Sequence, residues 1–314
     1  MKIAYQNQQV NIVYVNDLKK DVILEKSNKY LVVTDKNVYN YYQDLINYLS
    51  DDVIILDPSE ESKKLESCNE IIEFLLKNNY SKDDFLVSFG GGVIGDLVGF
   101  TASIYKRGMN LINIPTTLIS IIDSSIGGKN GVNYLNYKNQ IGTIYHPKTI
   151  YIYSKFLYTL PNIEYKSGMG EVIKYASLFS KELFEDLELG IFHLDNIIKE
   201  CINFKVLVTT QDEFDNGLRR TLNFGHTIGH AIEAKYKIPH GIAVGYGMFF
   251  ESKNERLKQL LIAYGWDFNI NFTGLKEYIV QDKKKNNNNN KLKMVILIDI
   301  GNYEIKEVMI DELL

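Results

Sequence analysis

Two histidines four residues apart, His226 and His230, lie in the stretch Arg219-Arg220-Thr221-Leu222-Asn223-Phe224-Gly225-His226-Thr227-Ile228-Gly229-His230-Ala231-Ile232-Glu233, and a third, His240, follows. Ile228, Ala231 and Ile232 give the stretch a helical pattern, so residues 219–236 are expected to be one helical segment. On a helix an i, i+4 pair shares a face and can offer two imidazoles to a divalent cation. The competing reading is a helix that carries two core or surface histidines, and a bare pair does not separate the two. Arg219, Arg220 and Asn223 shift the balance, because they bring anion-binding and hydrogen-bonding groups to the same place.

A second constellation lies upstream. The compact apolar run Phe85–Phe89 leads into Gly90-Gly91-Gly92-Val93-Ile94-Gly95-Asp96 and then an apolar helix over 97–105. This is G-x-G-x-x-G in a strand–loop–helix setting, where glycines let backbone amides approach a pyrophosphate. It is an imperfect dinucleotide fingerprint, since no acid follows at the usual spacing of about 20 residues. Asp35 closes an earlier strand; it suits a ribose hydroxyl, although taken alone a strand-closing turn is the better account. Thr116 and Thr117 follow the next strand. Asp123 and Lys129 lie on a polar, glycine-rich segment, and Lys138-Asn139 on a loop after it; the lysines suit a phosphorylated ligand. Glu171 and Lys174 share a helix face, and spacing alone favours a surface ion pair.

The elements that must position these groups change character along the chain. Strands are expected at 11–15, 30–34, 53–56, 85–89, 111–114 and 149–152, with helices at 44–49, 65–76 and 97–105. After Pro161 the pattern is helical: a helix beginning at Gly168, then 181–189, 195–209, 219–236, one beginning at His240, and 251–264. Two strands, 294–298 and 303–308, flank Gly301. Lys283-Lys284-Lys285 precedes five consecutive asparagines, a low-complexity run read as a solvated loop. The fold class is therefore α/β: an N-terminal nucleotide-binding α/β domain, residues 1–155, and a C-terminal mostly α-helical metal- and substrate-binding domain, residues 156–314, with a small terminal hairpin. A net charge of −4 gives no reason to expect a nucleic-acid or anionic-membrane partner. Two cysteines, Cys68 and Cys201, make neither a disulfide framework nor a thiolate zinc site. The N-terminus lacks the apolar run of a signal peptide and no run is long enough to span a bilayer, so a cytoplasmic protein is expected.

With these residues assembled, the sequence resembles the 3-dehydroquinate synthases of the sugar phosphate cyclase superfamily. The resemblance is carried by Glu60-x-x-Lys63, Gly90 to Asp96, Pro115-Thr116-Thr117-Leu118, Asp123 to Lys129, Gly170 to Lys174, Gly217 through Glu233, His240-Gly241 and Asp282-Lys283-Lys284. It implies zinc, or cobalt in its place, held by Glu171, His226 and His240, which moves His230 to the substrate side. It implies catalytic NAD+ contacted by Asp35, Glu60, Lys63, Gly91, Gly92, Asp96, Thr116, Thr117, Lys129, Lys138, Asn139, Phe156 and Thr159. A small phosphorylated sugar-acid substrate, 3-deoxy-D-arabino-heptulosonate 7-phosphate, would meet Asp123, Lys129, Asn139, Lys174, Lys205, Arg219, Asn223, His230 and one of Lys283 or Lys284. Arg107 matches an arginine that reaches the neighbouring subunit's site, implying a homodimer.

Three departures from the family pattern stand out. Ile242 replaces a glutamate two residues after the last metal histidine, Ser59 replaces a glycine before Glu60, and the segment 248–282 is shortened. Related cyclases making deoxy-scyllo-inosose or valiolone-type products share the scaffold, and Lys205 and Asn223 resemble the dehydroquinate type. A metal-dependent polyol dehydrogenase is the more distant alternative, and Glu171 argues against it.

Overall fold

Short runs of Val, Ile and Leu, buried on both faces, build the centre of the first unit, Met1–Leu160. The computed structural model describes residues 1–25, 27–135, 137–269, 271–283 and 291–309, with backbone alone at 280–283. Its strands are β1 (Lys2–Ala4), β2 (Gln9–Tyr14), β3 (Tyr30–Asp35), β4 (Val53–Leu56), β5 (Phe85–Gly90), β6 (Asn110–Pro115), β7 (Lys129–Tyr134), β8 (Tyr137–Ile144) and β9 (Thr149–Ile152). Seven of them form one sheet in the order β1-β2-β9-β6-β5-β3-β4, parallel except where β1 joins β2. Alternation sorts the side chains. Leu31 and Val33 of β3, with Leu86 and Leu111, pack on helices α3 (Leu65–Lys77) and α4 (Gly92–Ile104). Tyr30 and Val32 point the other way, with Val87, Phe89 and Ile112, against α2 (Lys36–Leu49). A sheet covered on both faces needs such uninterrupted apolar strands.

Two differences from the sequence reading in this unit bear on the site. Helix α2 begins at Lys36, not 44, because the Asp35 carboxylate caps it, accepting from the amides of Asn37 (2.9 Å) and Val38 (3.0 Å). Its inward stripe of Val38, Tyr42, Leu45, Ile46 and Leu49 has helical spacing, partly hidden by tyrosine. Residues 129–134 and 137–144, where no strand is expected and Lys129 and Lys138 are read on loops, pair as the antiparallel β7–β8 hairpin. Much of β8 faces solvent, which makes the strand polar in composition. The hairpin lies on α4, and Gly99 permits the contact: a Cβ there would fall 2.0 Å from Asn130 Oδ1.

The second unit, Pro161–Leu314, contains α5 (Asn162–Phe179), α6 (Lys181–Glu188), α7 (Leu194–Gln211), α8 (His226–Tyr236), α9 (His240–Ser252), α10 (Glu255–Ala263), α11 (Lys276–Lys283) and the hairpin β10 (Lys291–Asp299) with β11 (Asn302–Met309). Helix α5 starts at Asn162, ahead of the glycine expected to open it, and is buried continuously from Ser167 to Leu178. It is the central helix, with α6, α7, α9 and the hairpin packed around it. The turn of the hairpin docks on α5, where the Gly301 amide donates to Ser177 O at 2.8 Å. The single helix expected over 219–236 is broken. Residues 218–223 form a 3-10 turn, Gly225 adopts φ +78°, and α8 starts afresh at His226. An L side chain is disfavoured at that φ, so the break is fixed by the glycine. Among the described residues no helix is long and apolar enough to cross a membrane.

Candidate active site

In the first unit the strand order reverses at β3, with β4 on one side and β5 on the other. Ligands of doubly wound sheets bind beyond the carboxyl ends of strands at such a point. Asp35 ends β3, Gly91 and Gly92 follow β5, and Thr116 and Thr117 follow β6. Gly91 is the N-cap of α4 and has no side chain to satisfy the first amides of the helix, so those donors suit an anion. A Cβ on Gly91 would lie 3.0 Å from Thr117 Cγ2, and one on Gly92 3.3 Å from Ser124 Oγ. Side chains here would therefore fill the space between the two strand ends, and glycine leaves a cradle for a ligand backbone to approach.

A second group gathers beside it. Lys63, only 4% exposed, donates to Asp96 Oδ2 and Asn139 Oδ1, both at 2.5 Å. The Asn139 amide donates to Asn133 Oδ1 (2.9 Å), and Asn133 Nδ2 donates to Glu60 Oε1 (2.8 Å). Glu60, Lys63, Asp96 and Asn139, separate in sequence, thus belong to one network. Asn133, which joins them, was missed by sequence reasoning because its strand was read as loop. Phe156 is buried edge-on against Tyr42, Phe89 and Tyr153, with ring centroids 4.8–5.3 Å away, so it supports the strand end from the core. The Thr159 hydroxyl is bonded to the Tyr42 hydroxyl at 2.5 Å. Lys129 and Lys138 are exposed on the hairpin, and Asp123 lies on the turn 120–124. Arg107 is exposed on a tight turn, Lys106-Arg107-Gly108, with φ of +48°, +66° and +119°.

In the second unit three helices bring together the groups that could hold a cation. Glu171 comes from α5, His226 and His230 from α8, and His240 from α9. The imidazole centroids lie 5.1–5.6 Å apart, and one donor atom from each ring lies within 4.8 Å of the others. Glu171 is 1% exposed, so its pairing with Lys174 is interior and not the surface ion pair that spacing favours. Lys174 Nζ contacts Oε2. The other oxygen, Oε1, has no hydrogen-bond donor and faces Nε2 of His240 at 3.6 Å and Nε2 of His226 at 3.8 Å. Donors about 2.1 Å from a tetrahedral cation stand about 3.4 Å apart, so this geometry fits a divalent metal.

The electrostatics agree. Burial opposes charge on Glu171, but the Lys174 ammonium and His240 outweigh it and hold the carboxyl well below its usual range. Burial, aided by Lys174 and His240, pushes His226 well below the usual imidazole value, so the ring is neutral and ready to donate a lone pair. For His240, burial is overcome by the Glu171 and Glu233 carboxylates, and its pKa is pushed up to about 9. Glu233 Oε2 lies 2.9 Å from His240 Nδ1, the arrangement by which a carboxylate orients a metal-binding imidazole. Glu233 closes the histidine stretch in sequence, and its distance from His240 along the chain conceals the contact. His230 is the more open ring, one turn along α8.

The cationic groups expected at the substrate are largely interior: Lys174, Lys205 and Arg219 are buried, whereas Asn223 is exposed. Asp212 organises the Arg219 turn by accepting from the amides of Asn216, Gly217 and Arg219 at 2.7–2.8 Å. Arg219 itself donates to Glu213 O. The side chain of Lys283 and all of Lys284 lie outside the described residues. Ile242, where a glutamate is usual, is buried, and its carbonyl accepts from the Trp266 indole at 2.8 Å.

Comparison with known proteins adds the family. A model described as 3-dehydroquinate synthase N-terminal matches residues 53–167, and one described as 3-dehydroquinate synthase C-terminal matches residues 168–285. The 3-dehydroquinate synthase of Dictyoglomus thermophilum is 37% identical across 98% of this chain and 94% of its own. That of Alkaliphilus metalliredigens is 38% identical across 82% of this chain and 81% of its own. A solved 2-deoxy-scyllo-inosose synthase complexed with carbaglucose-6-phosphate, NAD+ and Co2+ superposes with TM-score 0.86 at 23% identity, covering 100% of both chains. A 2-epi-5-epi-valiolone synthase from Streptomyces hygroscopicus, with NAD+ and Zn2+ bound, gives TM-score 0.86 at 23% identity over 100% of this chain and 95% of that one. At such identity the structural likeness establishes the fold, the α/β class with a helical second half that the sequence predicts. The curated relatives and the two family models go further: the chain belongs to the 3-dehydroquinate synthase family of enzymes.

Proposed function

We propose that the protein converts 3-deoxy-D-arabino-heptulosonate 7-phosphate to 3-dehydroquinate and phosphate, with Glu171, His226 and His240 holding a divalent cation. The observation that carries this reading is the buried Glu171 Oε1, which has no hydrogen-bond donor and is aimed between two imidazoles. When bound, zinc or cobalt supplies Lewis acidity to a substrate hydroxyl, and NAD+ supplies a hydride acceptor that is restored within the turnover. Glu233 fixes the His240 ring so that Nε2 faces the cation. His230, beside His226 but more open, handles protons on the substrate. Lys174, Lys205 and Arg219 are fixed cations in a low-dielectric interior, where they stabilise the phosphate charge far better than water-exposed groups would. Asp123, Lys129, Asn139, Asn223 and one of Lys283 or Lys284 complete the substrate contacts.

The first unit serves the nucleotide. The Gly91-Gly92 turn receives the pyrophosphate, Asp35 the ribose, and the Glu60–Lys63–Asp96–Asn139 network orders the hairpin beside them; Thr116, Thr117, Lys138 and Thr159 are further contacts in this reading, and Phe156 supports them from the core. In this reading the protein is a cytoplasmic homodimer, with the exposed Arg107 directed to the neighbouring subunit. Purified protein given zinc, NAD+ and the heptulosonate phosphate is expected to release phosphate and form dehydroquinate with no net NADH. Accumulating NADH would place it with the polyol dehydrogenases, and absence of phosphate release would sink the reading.

A pH dependence follows from His240. Its proton, held up to about pH 9, must leave before Nε2 can ligate, whereas His226 is already neutral. The raised pKa favours the metal-free fold fully below the ordinary histidine value, and that contribution is lost as pH rises towards 9. Zinc affinity moves the opposite way. It is expected to rise by about tenfold per unit between pH 7 and 9 and then flatten, with about one proton released per zinc. Calorimetric titration in buffers of different ionisation enthalpy reads both quantities.

A further inference from the structure

Glu251 lies on α9, three turns beyond His240, and its carboxylate reaches back to another helix. Oε2 accepts the amide of Gly225 at 2.8 Å, and Oε1 accepts the amide of Ile228 at 3.0 Å. These donors sit at the start of α8, whose N-cap, Gly225, has no side chain of its own. The opening amides of a helix lack partners within it, and a carboxylate is the acceptor best matched to them and to the positive end of the helix dipole. A cap normally comes from the residue before the helix. Here it is delivered by the following helix, so it joins α8 to α9.

The joint lies where the two backbones approach closely. A Cβ on Gly247 would stand 1.9 Å from Gly225 O, and one on Gly225 2.7 Å from Val244 O. His226 is the first residue of α8 and His240 the first of α9, and their rings are 5.1 Å apart. We propose that Glu251 is a positioning residue for the metal centre: by capping α8 from α9 it sets the place of His226 relative to His240. This rests on the reading that both histidines bind the cation. A residue that only stabilised the fold would lower the melting temperature without selectively weakening metal binding. A positioning residue weakens it, because an uncapped α8 start lets the His226 ring depart from the direction of the cation.

The test is zinc affinity of the metal-free full-length protein, measured by competition with a chromophoric chelator. Glu251→Ala removes both acceptors; Glu251→Gln keeps one and sets an NH2 against the other amide. Asn254→Ala is the stability control, since Asn254 caps α10 by accepting the Leu257 amide at 2.9 Å. Glu251→Ala is expected to weaken zinc binding by about 10-fold or more, Glu251→Gln by less, and Asn254→Ala by less than about twofold. Hydrogen exchange at the Gly225 and Ile228 amides should accelerate in both Glu251 variants and stay unchanged in the control. If Glu251→Ala does not fold, Glu251→Gln carries both measurements. Affinity of the Glu251 variants within about twofold of the parent, or equal to that of Asn254→Ala, overturns the proposal. His226→Ala separates the two levels: if it retains zinc, the ligand reading itself fails, whereas its loss of zinc beside an unchanged Glu251→Ala refutes only the role of Glu251.

Discussion

Replacing His240 by alanine is expected to weaken zinc binding roughly 100-fold or more, since structural zinc sites gain about 3 kcal/mol per ligand. Replacing His230 by alanine is expected to leave zinc bound while turnover falls roughly 10²–10⁴-fold, the usual contribution of a positioned proton-transfer group. The contrast follows from the carboxylate. Glu171 Oε1 faces His226 and His240 at 3.8 and 3.6 Å, inside a site where the carboxylate is 1% exposed. Removing His240 also frees Glu233 from its imidazole partner and takes from Glu171 one of the groups that keep it ionised. His230 is more exposed and can be lost without uncovering a buried charge. Metal analysis after dialysis, beside steady-state rates, checks both variants. Equal loss of metal in the two would mean that His230 also belongs to the ligand set and that the assignment of Glu171, His226 and His240 alone is wrong.

The other large effect is expected from residues with no functional group. Gly170 precedes Glu171 on α5, and Gly241 follows His240 on α9. A Cβ on Gly170 would lie 2.1 Å from Gly241 O, and one on Gly241 1.8 Å from Ser167 O. Both obstacles are backbone, which cannot rotate aside as a side chain can. Gly170→Ala or Gly241→Ala must therefore push α5 and α9 apart, at a cost of about 1–3 kcal/mol or more typical of overpacking. The same displacement separates Glu171 from His240, so zinc affinity is expected to fall along with the melting temperature. Gly190 provides the contrast in packing, because a Cβ there meets nothing within 4 Å, although its φ of +68° disfavours a side chain. Gly190→Asn, tolerated at such a φ, is expected to leave zinc affinity unchanged.

The parallel sheet was legible because both of its faces are covered, which leaves uninterrupted apolar strands such as Leu31-Val32-Val33 and Leu86-Val87. The β7–β8 hairpin was not, because much of its outer strand faces water and its residues are chosen for polarity. The glycine turn after β5 could be read from spacing. Its neighbour Lys63 could not be tied to Asp96 and Asn139 without the hairpin that carries Asn139. At the candidate metal centre the i, i+4 histidines drew attention first. Glu171 stands 55 residues before His226, too far along the chain to leave a periodic trace, so it joined the histidines through the family resemblance and was found against them in the structure. Spacing also set Glu171 and Lys174 on one helix face without revealing that the helix is buried all round from Ser167 to Leu178.

Each of the three residues assigned to the cation has a glycine beside it in the chain: Gly170-Glu171, Gly225-His226 and His240-Gly241. Their helices meet through backbone at these points, with little side chain between them to yield. The site is thus built in two separable parts. The chemical identity of the donors resides in three side chains, and the coordinates of their attachment points reside in glycines that never touch the cation. Exchanging a donor, for example His226 for cysteine, should alter which metal is preferred while the frame stays put. The coordination sphere can therefore be redesigned by changing its ligands, whereas changing the glycines dismantles the frame that any ligand set would need.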